Sequence, residues 1–409
     1  MWYAWLETQR NLMRMLGTWT VPVDDGKSGN AAAPRVAAVG YDWMYRLLQP
    51  PPEPPPFDIR TVRIGERDVA VVEQMIDRTP FCALRKFSRT PDVAASVSEP
   101  GGAPLAEIFL CTPLAGHHAV MLRETVETLL QDGNVYVTDW TNARDVSLDA
   151  GPFGLDDYVL VIQRFLRAAA SAPLHVVAVC QATGPALAAT ALSASAGEAP
   201  LRSIALMGGP IDARLAPTAV GRFARTHTLD WFRTVVIDTV PPPYRGAGRR
   251  VYPGFIQHAA IVAAHPDRQW ALESRYWASQ CSGDERAIAG ALRRLNEYAA
   301  VLDMTENYFL NTIRVSFQEY SLARGSWQVG THRVRPRDIV STALCTIEGA
   351  RDDITGAGQT HAAQTLCSAI PLGMREKLTI KVCDHYDLFT GPRWHETIHP
   401  ALSAFWRSI

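Results

Sequence analysis

The sequence lacks an excess of charge of either sign. Its 409 residues include 40 Lys and Arg against 41 Asp and Glu, a formal net charge of -1. Proteins that coat nucleic acid normally carry a basic excess or stripe, so we expect no nucleic-acid partner. No apolar run approaches the ~18–20 residues that span a bilayer, which predicts no membrane span. The first residues include charged side chains where a signal peptide needs an apolar centre, so no export is expected.

Cysteine motifs are also missing. The seven cysteines are scattered, odd in number and never spaced C-x-x-C. This pattern argues against a disulfide framework or a zinc ribbon, and it fits a reducing, cytoplasmic compartment. Six of them are expected to be small core residues. These six are Cys82, Cys111, Cys281, Cys345, Cys367 and Cys383.

Apolar and amphipathic segments alternate along most of the chain. Hydrophobic residues make up 47% of the sequence, enough for a large core. Strand patterns such as NVYVTDW and LHVVAVC alternate with helical patterns such as DDYVLVIQRFLRAAA, HHAVMLRETVETLLQDG and, later, AGQTHAAQTLCSAI. The alternation predicts an α/β protein, with a mostly parallel sheet and helices on both faces. A helical, aromatic-rich interruption followed by two more strands predicts the α/β-hydrolase fold with a helical cap insertion.

The same patterns predict three parts of the chain. Residues 1–58 are expected to form an N-terminal helical arm and a Pro-rich linker. Residues 59–210 and 336–409 are expected to form the α/β-hydrolase core, and residues 211–335 the helical cap. Apolar side chains recur on one side of residues 1–20. This arm is predicted either to pack on the protein's own core or to lie at a hydrophobic interface.

Cys180 stands between a buried strand pattern and an Ala-rich helix pattern. The sequence Ala178-Val179-Cys180-Gln181-Ala182 has small residues on both sides of the cysteine. A nucleophile elbow needs small residues at these two positions, because bulky side chains would collide across the turn. The helix N-terminus behind the sulfur would favour its thiolate form. A structural cysteine is the alternative interpretation.

An acid and a histidine follow the last two strand patterns in the order that an α/β-hydrolase triad requires. Asp352 and Asp353 follow TALCTIEG, and His385 follows KLTIKVC. His385 is predicted to be the catalytic base. Asp352 is favoured as the acid that orients His385, because Ile354, two positions later, then has the alternation needed to anchor the loop in the core. Asp353 is the alternative acid.

The oxyanion hole is predicted from backbone N–H groups. Gln181 follows the nucleophile, and Leu114 or Ala115 lies in the loop after the strand LAEIFLC. The neighbouring His117 and His118 are not expected to bind a metal, because adjacent histidines project differently.

Three other motifs are not expected to be functional. The run from His395 to His399 matches H-E-x-x-H, but too little chain follows it for a third zinc ligand. The GKS at 26–28 lacks the first glycine of a P-loop, and the G-A-G segments lack the third glycine of a dinucleotide fingerprint. We therefore expect neither a metal nor a cofactor.

Several long strings resemble the intracellular poly(3-hydroxybutyrate) (PHB) depolymerases, relatives of the polyhydroxyalkanoate synthases. They are PLAGHHA, LLQDGNVYVTDW, AVCQAT, MGGPIDAR, GRRVYPGF, EGARDDITGAGQT and CDHY. The resemblance implies a cysteine nucleophile at Cys180, with Asp352 and His385 as its partners. It also implies a cytoplasmic, granule-associated hydrolase that degrades the native polymer to short oligomers or monomer.

Other functions remain open at this stage. A polyhydroxyalkanoate synthase-like acyltransferase would use the same triad and pass the acyl group to another hydroxyacyl unit instead of water. A generic thioesterase or lipase has the same site chemistry. A non-catalytic granule-associated protein could retain the fold without the activity.

Overall fold

The computed structural model describes residues 3–8, 53–90, 106–169 and 173–409. Its main feature is a nine-stranded sheet with the order β1-β2-β3-β5-β4-β6-β7-β13-β14. Strands β1, β2 and β3 pair antiparallel, and β3 is antiparallel to β5. All pairs from β5 onward are parallel. The strands of this sheet are Thr61–Ile64 (β1), Arg67–Arg78 (β2), Cys82–Arg89 (β3), Ala106–Cys111 (β4), Gly133–Trp140 (β5), Leu174–Val179 (β6), Ser203–Met207 (β7), Ala343–Gly349 (β13) and Arg375–Ile380 (β14).

Helices cover both faces of the parallel strands. Successive residues of β6 point to opposite faces of the sheet and are buried on both. Val176 and Ala178 belong to the hydrophobic cluster on one face, and Val177 and Val179 belong to the cluster on the opposite face. A strand that is buried on both faces has the near-continuous apolar sequence seen here. The core helices are Arg123–Leu129 (α2), Leu155–Ala169 (α3), Thr183–Ser195 (α4), Ala363–Leu366 (α11), Gly391–Arg393 (α12) and His399–Ser408 (α13).

The strand order from β2 to β14, with its second strand antiparallel, is that of an α/β-hydrolase sheet. The predicted fold class is therefore confirmed. Between β7 and β13 the chain forms mainly helices and five short strands. The helices are Ala219–Thr226 (α5), Leu229–Val235 (α6), Gly254–Ala264 (α7), Pro266–Ser282 (α8), Glu285–Ala299 (α9) and Glu306–Thr312 (α10). The strands are Asp238–Thr239 (β8), Arg250–Tyr252 (β9), Met304–Thr305 (β10), Gln328–Val329 (β11) and His332–Arg333 (β12). The boundaries of a separate cap at 211 and 335 stay a prediction.

Residues 3–8 form a short helix (α1) that packs on the insertion. Tyr3 is buried, its backbone N–H donates to Asp238 Oδ2 at 2.9 Å, and its hydroxyl donates to Asp303 Oδ2 at 2.8 Å. This part of the predicted arm therefore contacts the protein itself. The remainder of the predicted arm, and the linker up to residue 52, lie outside the described residues.

Two predicted helices are shorter than expected. The helix predicted to close at Gly133 ends at Leu129, and Gly133 opens β5 instead. A side chain at Gly133 would lie 2.0 Å from the carbonyl oxygen of Ala106 on the neighbouring strand, which explains why glycine stands there.

The prediction of a helix over residues 357–370 is wrong for most of its length, because only Ala363–Leu366 is helical. The buried carboxylate of Glu348 accepts hydrogen bonds from the backbone N–H groups of Gly358, Thr360 and His361 at 2.8–2.9 Å. These contacts hold residues 358–361 in a loop instead of a helix. The helical propensity of these residues gives no sign of a side chain from the preceding strand that binds their backbone.

The cysteines follow the prediction with one correction. Five of the six predicted core cysteines are buried, but Cys281 is exposed. It lies near the end of α8, a helix whose residues are mostly exposed or half-buried. No helix within the described ranges combines the length and the apolar character needed to cross a membrane.

Candidate active site

Cys180 occupies a tight bend between β6 and α4. Its φ is +53°, a left-handed conformation that a non-glycine residue rarely adopts. The flanking Ala178 and Ala182 are completely buried. The Thr183 hydroxyl donates to the carbonyl oxygen of Cys180 at 2.9 Å. The structure thus places Cys180 at a strand-to-helix turn of the kind that the sequence predicts.

His385 lies between the sulfur and a carboxylate. It follows β14, and its Nε2 is 3.2 Å from Cys180 Sγ. Its Nδ1 is 2.8 Å from Asp352 Oδ2. The side chains of His385 and Asp352 are only 5% and 1% exposed. Three predicted residues are therefore in direct contact, although 205 positions separate Cys180 from His385 along the chain.

Asp352 is held by its own loop. Its Oδ1 accepts hydrogen bonds from the backbone N–H groups of Ile354 at 3.0 Å and Thr355 at 2.8 Å. The other oxygen is thereby directed to His385. Asp353, the alternative acid, has a 63% exposed side chain, and its Oδ2 lies 3.9 Å from His265 Nδ1. The geometry thus favours Asp352 over Asp353 as the partner of His385.

The surroundings of His385 favour its charged form. Burial by itself lowers the pKa of this imidazole, but the negative charges of Cys180 and Asp352 and the hydrogen bonds to both outweigh it. The net result is a pKa raised to about 10. His385 is therefore expected to be an imidazolium at neutral pH.

The residues predicted for the oxyanion hole lie close to one another. Gln181 is in the first turn after the bend, where backbone N–H groups have no acceptor within the helix. The Ala115 N–H donates to the side-chain oxygen of Gln181 at 2.9 Å, so it is occupied in this conformation. Leu114 is buried next to it.

Sequence reasoning missed the residues that hold the Gln181 side chain. The hydroxyl of Tyr308 donates to the same oxygen of Gln181 at 2.6 Å, and the Gln181 amide donates to Thr312 Oγ1 at 3.5 Å. Both partners lie on α10. Nothing in the sequence distinguishes this buried tyrosine from ordinary core aromatics.

A mostly apolar cavity adjoins the Gln181 side chain. It lies between α3, the start of α4 and the segment that follows α10. Its apolar walls are formed by Leu155, Pro185, Pro210, Ile211, Val315, Leu322 and Trp327. The Gln181 side chain therefore borders a small apolar cavity.

The other histidine motifs are used elsewhere. His395 Nε2 lies 2.6 Å from Glu124 Oε1, and His399 Nε2 lies 2.6 Å from Asp132 Oδ2. The two histidines of the H-E-x-x-H run thus contact different carboxylates. In the part of the chain that the structure describes, no three His, Cys, Asp or Glu side chains form a candidate metal site.

The fold and the elbow define the class of the protein, an α/β-hydrolase. Residues 208–409 match the family model described as PHB de-polymerase C-terminus. This match assigns the C-terminal half of the chain to the PHB depolymerase family, and it supports an ester hydrolase. No curated protein matches its sequence.

Solved structures with a similar arrangement are distant in sequence. Carboxyl esterase 2 from the fungus Tuber melanosporum is 9% identical, with a TM-score of 0.44 and 98% of each chain covered. A carboxylesterase structure from the thaumarchaeon Nitrososphaera gargenis is 9% identical, with a TM-score of 0.42; the match covers 85% of this chain and 100% of the other. The thioesterase domain from the curacin biosynthetic pathway is 11% identical, with a TM-score of 0.42 and coverages of 83% and 99%.

Proposed function

We propose that this chain hydrolyses the ester bonds of poly(3-hydroxybutyrate), with Cys180 as nucleophile, His385 as base and acid, and Asp352 as the residue that orients His385. One observation carries the proposal: the 3.2 Å contact between His385 Nε2 and Cys180 Sγ at the elbow. The family match supports the choice of polymer.

The first half of the reaction forms an acyl-enzyme. The Cys180 thiolate attacks the ester carbonyl carbon, and the carbonyl oxygen becomes an oxyanion. When the intermediate collapses, the C–O bond breaks and the leaving alkoxide takes the proton from His385 Nε2. Asp352 stabilises the imidazolium until that transfer, through its contact with Nδ1.

The second half releases the acid and restores the thiolate. His385, now neutral, takes a proton from a water molecule as that water attacks the thioester carbonyl. The C–S bond then breaks, the carboxylic acid departs and Cys180 returns as the thiolate beside an imidazolium. Water is the acyl acceptor, which distinguishes hydrolysis from the transfer that a synthase performs.

The oxyanion requires hydrogen-bond donors at the elbow. The Gln181 N–H is one donor, and a loop amide of Leu114 or Ala115 is the second. The Ala115 N–H becomes available only when the Gln181 side chain moves away from it. If Ala115 is the second donor, substrate binding requires the Gln181 side chain to move; if Leu114 is the second donor, it does not.

The proposed place of action is the surface of storage granules in the cytoplasm. The resemblance to intracellular depolymerases supports this location, and a reducing compartment keeps the catalytic thiol free.

The test is the release of 3-hydroxybutyrate and its oligomers from amorphous PHB granules by the purified full chain. Cys180→Ala should lower the rate by more than about a thousandfold, because no nucleophile remains. Cys281→Ala removes an exposed thiol away from the elbow and should retain the rate. Unaltered hydrolysis by Cys180→Ala, or net polymer formation from 3-hydroxybutyryl-CoA, would overturn the proposal.

A further inference from the structure

Next to the candidate active site, three side chains with buried polar atoms that have no hydrogen-bond partner among the described residues lie around His117. The rings of His117 and His258 lie 5.0 and 6.0 Å from the Tyr298 ring, and the guanidinium carbon of Arg268 lies 5.7 Å from it. The atoms are His258 Nε2, Arg268 Nε and Tyr298 Oη, whereas the His117 ring also contacts the backbone of Tyr298. We call these four residues the Tyr298 cluster. Buried polar groups are normally paired, so these atoms require water or a bound ligand as a partner.

The Tyr298 cluster carries one permanent positive charge. Arg268 makes no ion pair among the described residues, and its guanidinium carbon lies 4.0 Å above the Tyr386 ring. Burial, together with the nearby His258 and Arg268, lowers the pKa of His117 to about 3. Burial also lowers the pKa of His258. Both histidines are therefore neutral, and a single anion would balance the charge.

The Tyr298 cluster is connected to the proposed triad through Tyr386. This residue follows His385 directly, and the two rings lie 5.8 Å apart. Its hydroxyl is 3.1 Å from His117 Nε2. His117 lies two positions after Ala115 in the predicted oxyanion loop. The cluster is thus on the side of the site where His385 is located.

The leaving fragment of the proposed reaction must lie on that side as well. His385 donates its proton to the leaving alkoxide, so the alkoxide oxygen has to reach its Nε2. In a chain of 3-hydroxyacyl units, the fragment that leaves as the alcohol ends in the free carboxylate. A planar carboxylate is the anion that a guanidinium binds best, through two parallel hydrogen bonds.

The geometry points to a carboxylate subsite formed by Arg268 and the Tyr298 hydroxyl, which binds the free carboxyl end of the leaving fragment. The inference rests on the proposed ester hydrolysis and adds which end of the polymer chain is cleaved. Ester bonds near the carboxyl end of a chain are cleaved in preference to others. A charged hydrogen bond of this kind favours the carboxylate-bearing substrate by about tenfold or more.

The first test compares short 3-hydroxybutyrate oligomers with a free carboxylate and the same oligomers as methyl esters. The measured quantity is the ratio of the two kcat/KM values. The wild type should favour the free acid about tenfold, Arg268→Gln should bring the ratio close to one, and Arg268→Lys should restore part of it. Arg275→Gln removes an exposed charge from the same helix and should keep the wild-type ratio. An unchanged ratio in Arg268→Gln would overturn the subsite.

A second test does not depend on the polymer. Iodoacetate carries a carboxylate and iodoacetamide does not, so the ratio of their alkylation rates at Cys180, followed by peptide mass, reports a nearby anion site. Arg268→Gln should lower this ratio severalfold and Arg275→Gln should not. If oligomers resist hydrolysis while this ratio falls, the proposed function fails and the anion site stands. If oligomers are cleaved and Arg268→Gln changes neither ratio, the subsite is rejected and the hydrolase stands.

Discussion

At the scale of single residues, Cys180 is one of five non-glycine residues in the described part of the chain with a positive φ. A non-glycine residue at φ +53° costs about 1–3 kcal/mol, which the surrounding structure has to supply. The Thr183 hydroxyl contacts the carbonyl of the strained residue, and the imidazole of His385 contacts its sulfur. Cys180 is also the only cysteine whose sulfur, among the contacts of the described residues, meets a histidine that in turn contacts a carboxylate.

The pKa of His385 should fall when either negative partner is removed. Its value of about 10 results from burial, which lowers it, and from Cys180 and Asp352, which raise it more. Cys180→Ala and Asp352→Asn each remove one group that raises the pKa of His385, so His385 should titrate at lower pH in both variants. NMR titration of the labelled imidazole gives the answer. His175, whose pKa burial lowers to about 4, serves as the internal control because it should not change.

The same shift has a defined effect on stability. The folded-state pKa of His385 exceeds the value of about 6.5 for a free histidine. Its contribution to the free energy of unfolding is therefore complete below about pH 6.5 and is lost as the pH rises through about 10. An unchanged His385 pKa in both variants would contradict the electrostatic pairing.

At the scale of elements, the bend between β6 and α4 depends on the loop that follows β7. A Cβ atom at Gly209 would lie 1.9 Å from Thr183 Oγ1 and 2.1 Å from the carbonyl oxygen of Cys180. Only a glycine allows the two loops to approach this closely. Gly208, directly before it, has a φ of +57°, so both glycines are required by the backbone.

Gly209→Ala should therefore destabilise the protein and displace the elbow. We expect a loss of about 1–3 kcal/mol or more in the free energy of unfolding, measured in urea, because the backbone of Cys180 has to shift. Gly184→Ala is the matched control in α4, since nothing lies within 4 Å of its added methyl group. That variant should change stability by less than about 1 kcal/mol. Equal stability of the two variants would show that the contact at Gly209 is relaxed without cost.

At the scale of the whole molecule, the sheet order brings the site together. Cys180 follows β6, while Asp352 and His385 follow β13 and β14, which lie two and three positions further along the sheet. Because these strands are parallel, their carboxyl ends meet at one edge, where active sites of open α/β sheets form. Residues far apart in sequence thus come within hydrogen-bond distance.

Much of this arrangement could be predicted from the sequence because it follows local rules. The strands β6 and β13 are buried along their whole length, and Cys180 and Asp352 follow them; His385 follows β14, an edge strand that is mostly exposed. What could not be predicted depends on distant partners. The Glu348 carboxylate accepts hydrogen bonds from backbone N–H groups within residues 358–361, and the Tyr308 hydroxyl donates to the Gln181 side chain. Neither contact leaves a periodic trace in the sequence.

The most direct test of the proposed mechanism identifies the residue that carries the acyl group during turnover. The full chain would be mixed with an activated 3-hydroxybutyrate ester, quenched in acid and digested, and the modified peptide identified by mass spectrometry. We predict a 3-hydroxyacyl thioester on Cys180, absent from Cys180→Ala and retained in Cys281→Ala. An acyl group on any other residue of an active enzyme would contradict the cysteine mechanism.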